Sequence, residues 1–166
     1  MKLIGPERYE LVFSRRRFEL TTPEGTREVS DRTRVSRPKL YVVVSRRQIV
    51  YVGITNRPIR ARLRYGWTAD GKHGYHGYAW RRKLRSATLF VWYHPKPDWE
   101  AASPELETIE AEVVYAIRWR GQWPKHQTEI HFHPSRPIHR WAAQEIVKRV
   151  TALARRPQSS RSCAVQ

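Results

Sequence analysis

Lys39-Leu40-Tyr41-Val42-Val43-Val44-Ser45-Arg46-Arg47-Gln48-Ile49-Val50-Tyr51-Val52-Gly53 is the stretch on which the fold turns. It holds two β-branched runs, 39–44 and 48–53, separated by the polar Ser45-Arg46-Arg47. Two such runs with so short a polar link predict a β-hairpin. A helix should follow. Asn56 stands as its cap, Pro58 in its first turn, Ile59 and Leu63 on its apolar face, and Gly66 at its end.

Beyond this point, 71–77 is rich in Gly, His and Tyr and reads as a loop, and 78–85 reads as a basic helix. Thr88-Leu89-Phe90-Val91-Trp92-Tyr93 is a third strand. Ser103 before Pro104 caps a helix predicted over 104–119, where Leu106, Ile109, Val113, Val114 and Ile117 recur at helical spacing. A short strand is expected at 129–133 and a last helix at 138–153. Upstream, 9–13 and 17–20 are short candidate strands before the turn signal Pro23-Glu24-Gly25-Thr26. The expected class is α+β: a small central antiparallel sheet of about three strands flanked by helices, with an N-terminal β extension and a C-terminal helix. The division is 1–38 for the extension, 39–133 for the core, 134–154 for the last helix and 155–166 for a polar, disordered tail.

Charge narrows the function. The chain has 166 residues, with 32 Lys and Arg against 15 Asp and Glu, a formal +17. Such an excess repels itself in a compact state and calls for a polyanionic partner. Arg predominates and is interleaved with Trp and Tyr, which favours nucleic acid: guanidinium forks grip phosphate and rings stack on bases. No apolar run has membrane-spanning length, and the N-terminal residues lack a signal-peptide core. The single cysteine, Cys163, builds neither a disulfide framework nor a cysteine zinc site. A cytoplasmic protein is expected, with no membrane partner and an open oligomeric state.

Tyr41 and Tyr51 fall on the two strands of the hairpin, Arg62-Leu63 on the helix after it, and a glutamate on a later helix. That order resembles the GIY-YIG nuclease family. Tyr41 stands at the tyrosine of its first motif, whose other positions are Lys39 and Leu40 here, and Tyr51-Val52-Gly53 matches its second. Thr55 follows at a familiar distance, Arg62-Leu63 matches the arginine-leucine pair, and Ile109-Glu110-Ala111 matches the helical glutamate. The family's distal asparagine falls on Gln127, after Pro124. The likeness covers roughly residues 39–132. Many members carry a tyrosine or histidine four residues after the arginine; Gly66 holds that place here and Tyr65 precedes it.

The resemblance implies endonuclease chemistry on DNA, with RNA and branched or single-stranded DNA as the wider partner class. Tyr41 would be the base, Tyr51 would orient water or phosphate, and Arg62 would clamp the scissile phosphate. Glu110 would hold Mg²⁺ or Mn²⁺, with Glu112 as the alternative. Glu110 is preferred because Leu106, Val113, Val114 and Ile117 surround it on the helix, where a carboxylate is costly without a partner or metal. Tyr65 and the loop residue His76 are further catalytic candidates. Arg57, Arg60, Arg64, Arg81, Arg82, Lys83 and Gln127 are candidate nucleic-acid contacts. Histidines 73, 126, 131, 133 and 139 are too scattered for a strong zinc signature. The rival reading is a basic DNA- or RNA-binding module on the same fold without catalysis.

Overall fold

The computed structural model describes residues 2–14, 17–71, 77–81, 83–127 and 130–155. His76, Arg82 and the tail after residue 155 lie outside the described residues. The class is α+β, as expected, but the antiparallel sheet has five strands rather than three. They are β1 (Ile4–Phe13), β2 (Phe18–Thr21), β3 (Lys39–Ser45), β4 (Gln48–Thr55) and β5 (Ser86–Tyr93), in the order β2-β1-β5-β3-β4. The N-terminal extension is therefore part of the main sheet. β1 pairs with β2 on one side and with β5 on the other, placing Leu11 opposite Leu20 and Ala87.

The hairpin of β3 and β4 closes through Arg46 and Arg47, which have φ of 50° and 66°. Positive φ at both central residues matches the twist of a two-residue hairpin, a place usually given to Asn-Gly. Tyr41 pairs with Gly53, and Val43 with Tyr51. Alternation then sends Leu40, Val42 and Val44 to one face and Tyr41 and Val43 to the other.

Each face is covered. Over the first lie α3 (Trp99–Trp119) and α4 (Pro137–Arg155), burying Leu106, Ile109, Val113 and Ile117 with Ile146 and Val150. Over the second lie α1 (Asp31–Arg34), α2 (Ile59–Thr68) and the segment around Tyr78 and Trp80.

Several local expectations are corrected. The described residues 78–81 and 83–85 form turns and bends, because Tyr78 and Trp80 sink into the core instead of tracing a helical face. α3 starts at Trp99, where the Asp98 carboxylate accepts from the backbone N–H groups of Glu100 and Ala101; Pro104 lies inside the helix. α2 runs through Gly66 to Thr68, and Pro58 is its N-cap with no side-chain capping bond. Residues 130–136 have no regular structure, so no strand forms there. α4 spans Pro137–Arg155, slightly longer at both ends than the helix expected over 138–153.

Candidate active site on the tyrosine face of the sheet

Gly53 makes the site possible. Tyr41 lies directly across the ladder from it, and Tyr51 precedes it by two residues on the same face. A Cβ at Gly53 would come within 2.7 Å of the Tyr41 hydroxyl and 2.8 Å of Tyr51 Cε1. Without that atom the two rings converge, their centres 5.9 Å apart. Tyr78 joins them edge-on to Tyr51 at 5.6 Å and shares a 3.0 Å hydroxyl–hydroxyl bond with Tyr41.

α2 supplies the cation. Ile59, Leu63 and Gly66 form its buried face, and Arg62 borders that face. Arg62 Nε donates to the Tyr41 hydroxyl at 3.4 Å, and the guanidinium carbon lies 5.5 Å from the Tyr78 ring centre. The Tyr78 hydroxyl reaches the Arg62 carbonyl at 3.5 Å. Gly66 is needed beneath that ring, since a Cβ there would sit 2.2 Å from Tyr78 Cε2. Tyr78, absent from the sequence reading, is thus the third phenol of the cluster.

Electrostatics separates these groups. Burial pushes the Tyr51 phenol well up; the neighbouring Tyr41 and Glu110 add to this, and Arg62 opposes it. Burial likewise pushes Tyr78 well up, with Tyr41 adding and Arg62 opposing. Both are neutral hydroxyl donors at ordinary pH. Glu110, on α3, is only 7% exposed. Glu112 instead lines a groove between α3 and α4.

The edge of the sheet completes the surroundings. β4 is the outer strand on this side. Its Val50 carbonyl accepts from the His126 backbone N–H at 3.0 Å, and its Val52 N–H donates to Gln127 Oε1 at 3.0 Å. Gln127 therefore covers a strand edge through its amide oxygen. His126 is held below the usual imidazole range by burial first, then by Lys83 and Lys125. Lys83 and Lys125 are themselves exposed.

The other candidates divide. Arg57 is exposed and lies 4.6 Å from the ring centre of the exposed Tyr65; Arg64 is also exposed. Arg60 Nη2 donates to the Leu20 and Arg27 carbonyls, tying α2 to the N-terminal region. Arg81 Nη1 donates to the carbonyls of Gly66, Trp67 and Ala69 and so caps the C-terminus of α2. Sequence reasoning also missed Lys39. It is fully buried and donates Nζ to the carbonyls of Val35, Arg37 and Arg57, joining the approach to β3 with the approach to α2. Burial, with Arg37 adding, lowers its pKa to about 8.

Among the described residues no group of three or more His, Cys, Asp or Glu is arranged to hold a metal. A hard ion such as Mg²⁺ is often held by one or two carboxylates, with water and phosphate oxygens filling its shell. Glu110, a nearly buried carboxylate on α3, is a donor of that kind. Among the described residues no helix is long and apolar enough to cross a membrane. Comparison with known proteins finds no matching family model, no matching curated protein and no matching solved structure.

Proposed function

We propose that the chain is a metal-dependent endonuclease of the GIY-YIG type that hydrolyses phosphodiester bonds in DNA. The observation carrying this reading is the convergence of Tyr41, Tyr51, Tyr78 and Arg62 on one face of the sheet. Hydrolysis at phosphorus needs a proton acceptor, neutralisation of phosphate charge and help for the leaving oxygen. Arg62 binds the phosphate through the guanidinium edge that now meets Tyr41. Tyr41 acts as the phenolate, its own proton having passed to solvent; it takes the proton of the attacking water and becomes the phenol, while the Arg62 cation offsets the charge that builds on the phosphate oxygens. Tyr51 and Tyr78, neutral donors, orient that water and the phosphate oxygens. Glu110 would hold Mg²⁺ or Mn²⁺, which when bound polarises the phosphate and stabilises the leaving oxygen. Arg57, Arg64, Lys83 and Lys125 are exposed cations that would contact the backbone.

The rival reading, nucleic-acid binding without cleavage, has one observation in its favour: Tyr41 is 1% exposed. In the nuclease reading, substrate opens the way by drawing Arg62 off the phenol oxygen. Incubation with supercoiled plasmid, with and without Mg²⁺, separates the two. The nuclease reading expects Mg²⁺-dependent nicking or linearisation, lost in Arg62→Ala and Glu110→Gln and kept in Glu112→Gln. Loss of one guanidinium at the developing charge should slow cleavage by roughly 10²–10³-fold, with DNA binding nearly unchanged. Binding with a steep salt dependence but no Mg²⁺-dependent cleavage would establish the rival.

A further inference from the structure

The groove between α3 and α4 lies apart from the tyrosine cluster, and no role has been assigned to it. It encloses about 370 Å³. One wall carries Tyr115, 59% exposed, and Trp119, 80% exposed. These rings stand one helical turn apart, centres 6.2 Å from each other and planes 28° from parallel. The other wall carries Arg140, Gln144 and Lys148 at successive i,i+4 positions of α4, and Arg120 stands at the end of α3.

We propose that this groove binds unpaired nucleotides of single-stranded DNA, stacking bases on Tyr115 and Trp119 and holding the backbone with Arg120, Arg140 and Lys148. Two large, exposed rings that stack loosely on one another offer an aromatic surface that any base can use, because every base has a π-face. Cations along the facing wall suit the phosphates joining those bases. Glu112 and Glu145 also line the groove, but Glu145 meets Lys148 at 3.9 Å, so one acid is partly neutralised. A second copy is a poor occupant, because two chains of formal charge +17 repel. A duplex keeps its base faces stacked and hidden, so it cannot use the platform. The choice of DNA over RNA rests on the function proposed above; the stacking surface does not.

The test is fluorescence anisotropy with a labelled oligothymidylate of about 15 nucleotides, within the span one stacking domain covers. A duplex of equal length and an oligouridylate run in parallel. Trp119→Ala should weaken oligothymidylate binding about tenfold. Trp119→Phe should restore most of it, and duplex binding should not change. Trp119 is exposed, so the variant should fold; circular dichroism checks this. Equal affinity of wild type and Trp119→Ala for the oligothymidylate would overturn the proposal, as would an equal loss on the duplex. A loss confined to oligouridylate would overturn DNA as the occupant. A wild-type dimer in sedimentation, made monomeric by Trp119→Ala with oligothymidylate affinity unchanged, would make the groove a self-interface instead. Plasmid cleavage is read separately: a chain that cuts nothing but binds oligothymidylate through Trp119 loses the nuclease reading and keeps this one.

Discussion

The two faces of the sheet are buried to a similar depth but built of different material. Under α3 and α4 the packed residues are almost all aliphatic: Leu40, Val42 and Val52 against Leu106, Ile109, Val113 and Ile146. Under α1 and α2 the buried residues include four phenols, Tyr9, Tyr41, Tyr78 and Tyr93, together with Lys39 and Thr33. An aliphatic face is held by area removed from water and tolerates no partner other than more apolar surface. A phenolic face keeps the packing area and adds hydroxyls that must each find a partner. Here they do so in two separate groups. Tyr41 and Tyr78 gather around the cation Arg62, whereas Tyr9 and Tyr93 gather around the carboxylate of Glu7. The cationic group suits an anionic ligand. The anionic one is already saturated by hydroxyls of the chain itself, so under the proposed nuclease function the same residue type would serve reaction in one place and cohesion in the other.

The largest effect should come from setting one face against the other. Tyr41→Phe keeps ring volume and removes one hydroxyl, so plasmid cleavage should fall by roughly 10²–10⁴-fold, the usual loss for a missing general base. Its stability should drop by only about 1–3 kcal/mol, for the hydroxyl's bonds with Tyr78 and Arg62. Ile109→Ala, on the aliphatic side, should reverse the pattern, costing about 2–5 kcal/mol of stability. Cleavage per folded molecule should then stay near wild type. Urea unfolding alongside single-turnover cleavage checks both. If both variants lose activity in proportion to stability, the faces do not divide the labour and Tyr41 is structural.

The parts of this division legible in the sequence were those written locally. The hairpin follows from the β-branched runs at 39–44 and 48–53, and the inward face of α3 from the spacing of Leu106, Ile109, Val113 and Ile117. Arg62 could be placed because Ile59 and Leu63 fix the buried side of α2. Tyr78 could not: it follows a Gly- and His-rich stretch, and its partners Tyr41 and Arg62 reach it only through tertiary packing. The one local hint was Gly66, which the reading used as a helix stop and the fold uses as room for the Tyr78 ring. β1 looked peripheral because Glu7, Arg8 and Glu10 obscure its alternation. Yet Arg8 and Glu10 pair with each other at 2.7 Å, and Glu7 turns to the hydroxyls. Arg81 read as a phosphate contact because sequence shows charge but not which carbonyls will face it.

A smaller effect should appear at the anionic group. Burial works to raise the Glu7 pKa, but hydroxyl donors from Ser30, Tyr9, Tyr93 and Thr33 outweigh it, and the net shift is downward. A carboxylate with a lowered folded-state pKa stabilises the fold above its unfolded value of about 4.3, and the contribution is lost as pH falls through the folded value. Glu7→Gln should therefore cost roughly 1–3 kcal/mol at neutral pH, since hydrogen bonds to a charged acceptor are lost. The gap between wild type and variant should close as pH drops below about 4. Urea midpoints measured from pH 7 to pH 3 check this, and a gap independent of pH would mean that packing, not charge, holds the cluster together.

The smallest effect tests whether the tyrosine face depends on its edge. β4 carries Tyr51 and Gly53, and its outward Val52 N–H finds an acceptor only because Gln127 Oε1 lies 3.0 Å away. The neighbouring Val50 carbonyl is met by a backbone N–H, from His126, and survives any side-chain change. Gln127→Ala thus removes one side-chain acceptor from the edge and leaves the other contact in place. The expected loss is about 1 kcal/mol, that of a single neutral hydrogen bond. It should be local: amide exchange at Val52 should quicken while exchange at Val42, in the centre of the sheet, follows global stability. Cleavage should fall by no more than a few-fold, because Gly53 and Tyr51 keep their ladder partners Tyr41 and Val43. Gln127→Asn is the sharper arm. The shorter amide keeps its chemistry but draws the acceptor back by about one bond, so it should behave like alanine if reach to Val52 is what matters. Should either variant abolish cleavage while Val52 exchange is unchanged, Gln127 touches the substrate, and the edge of β4 belongs to the active site and not to its support.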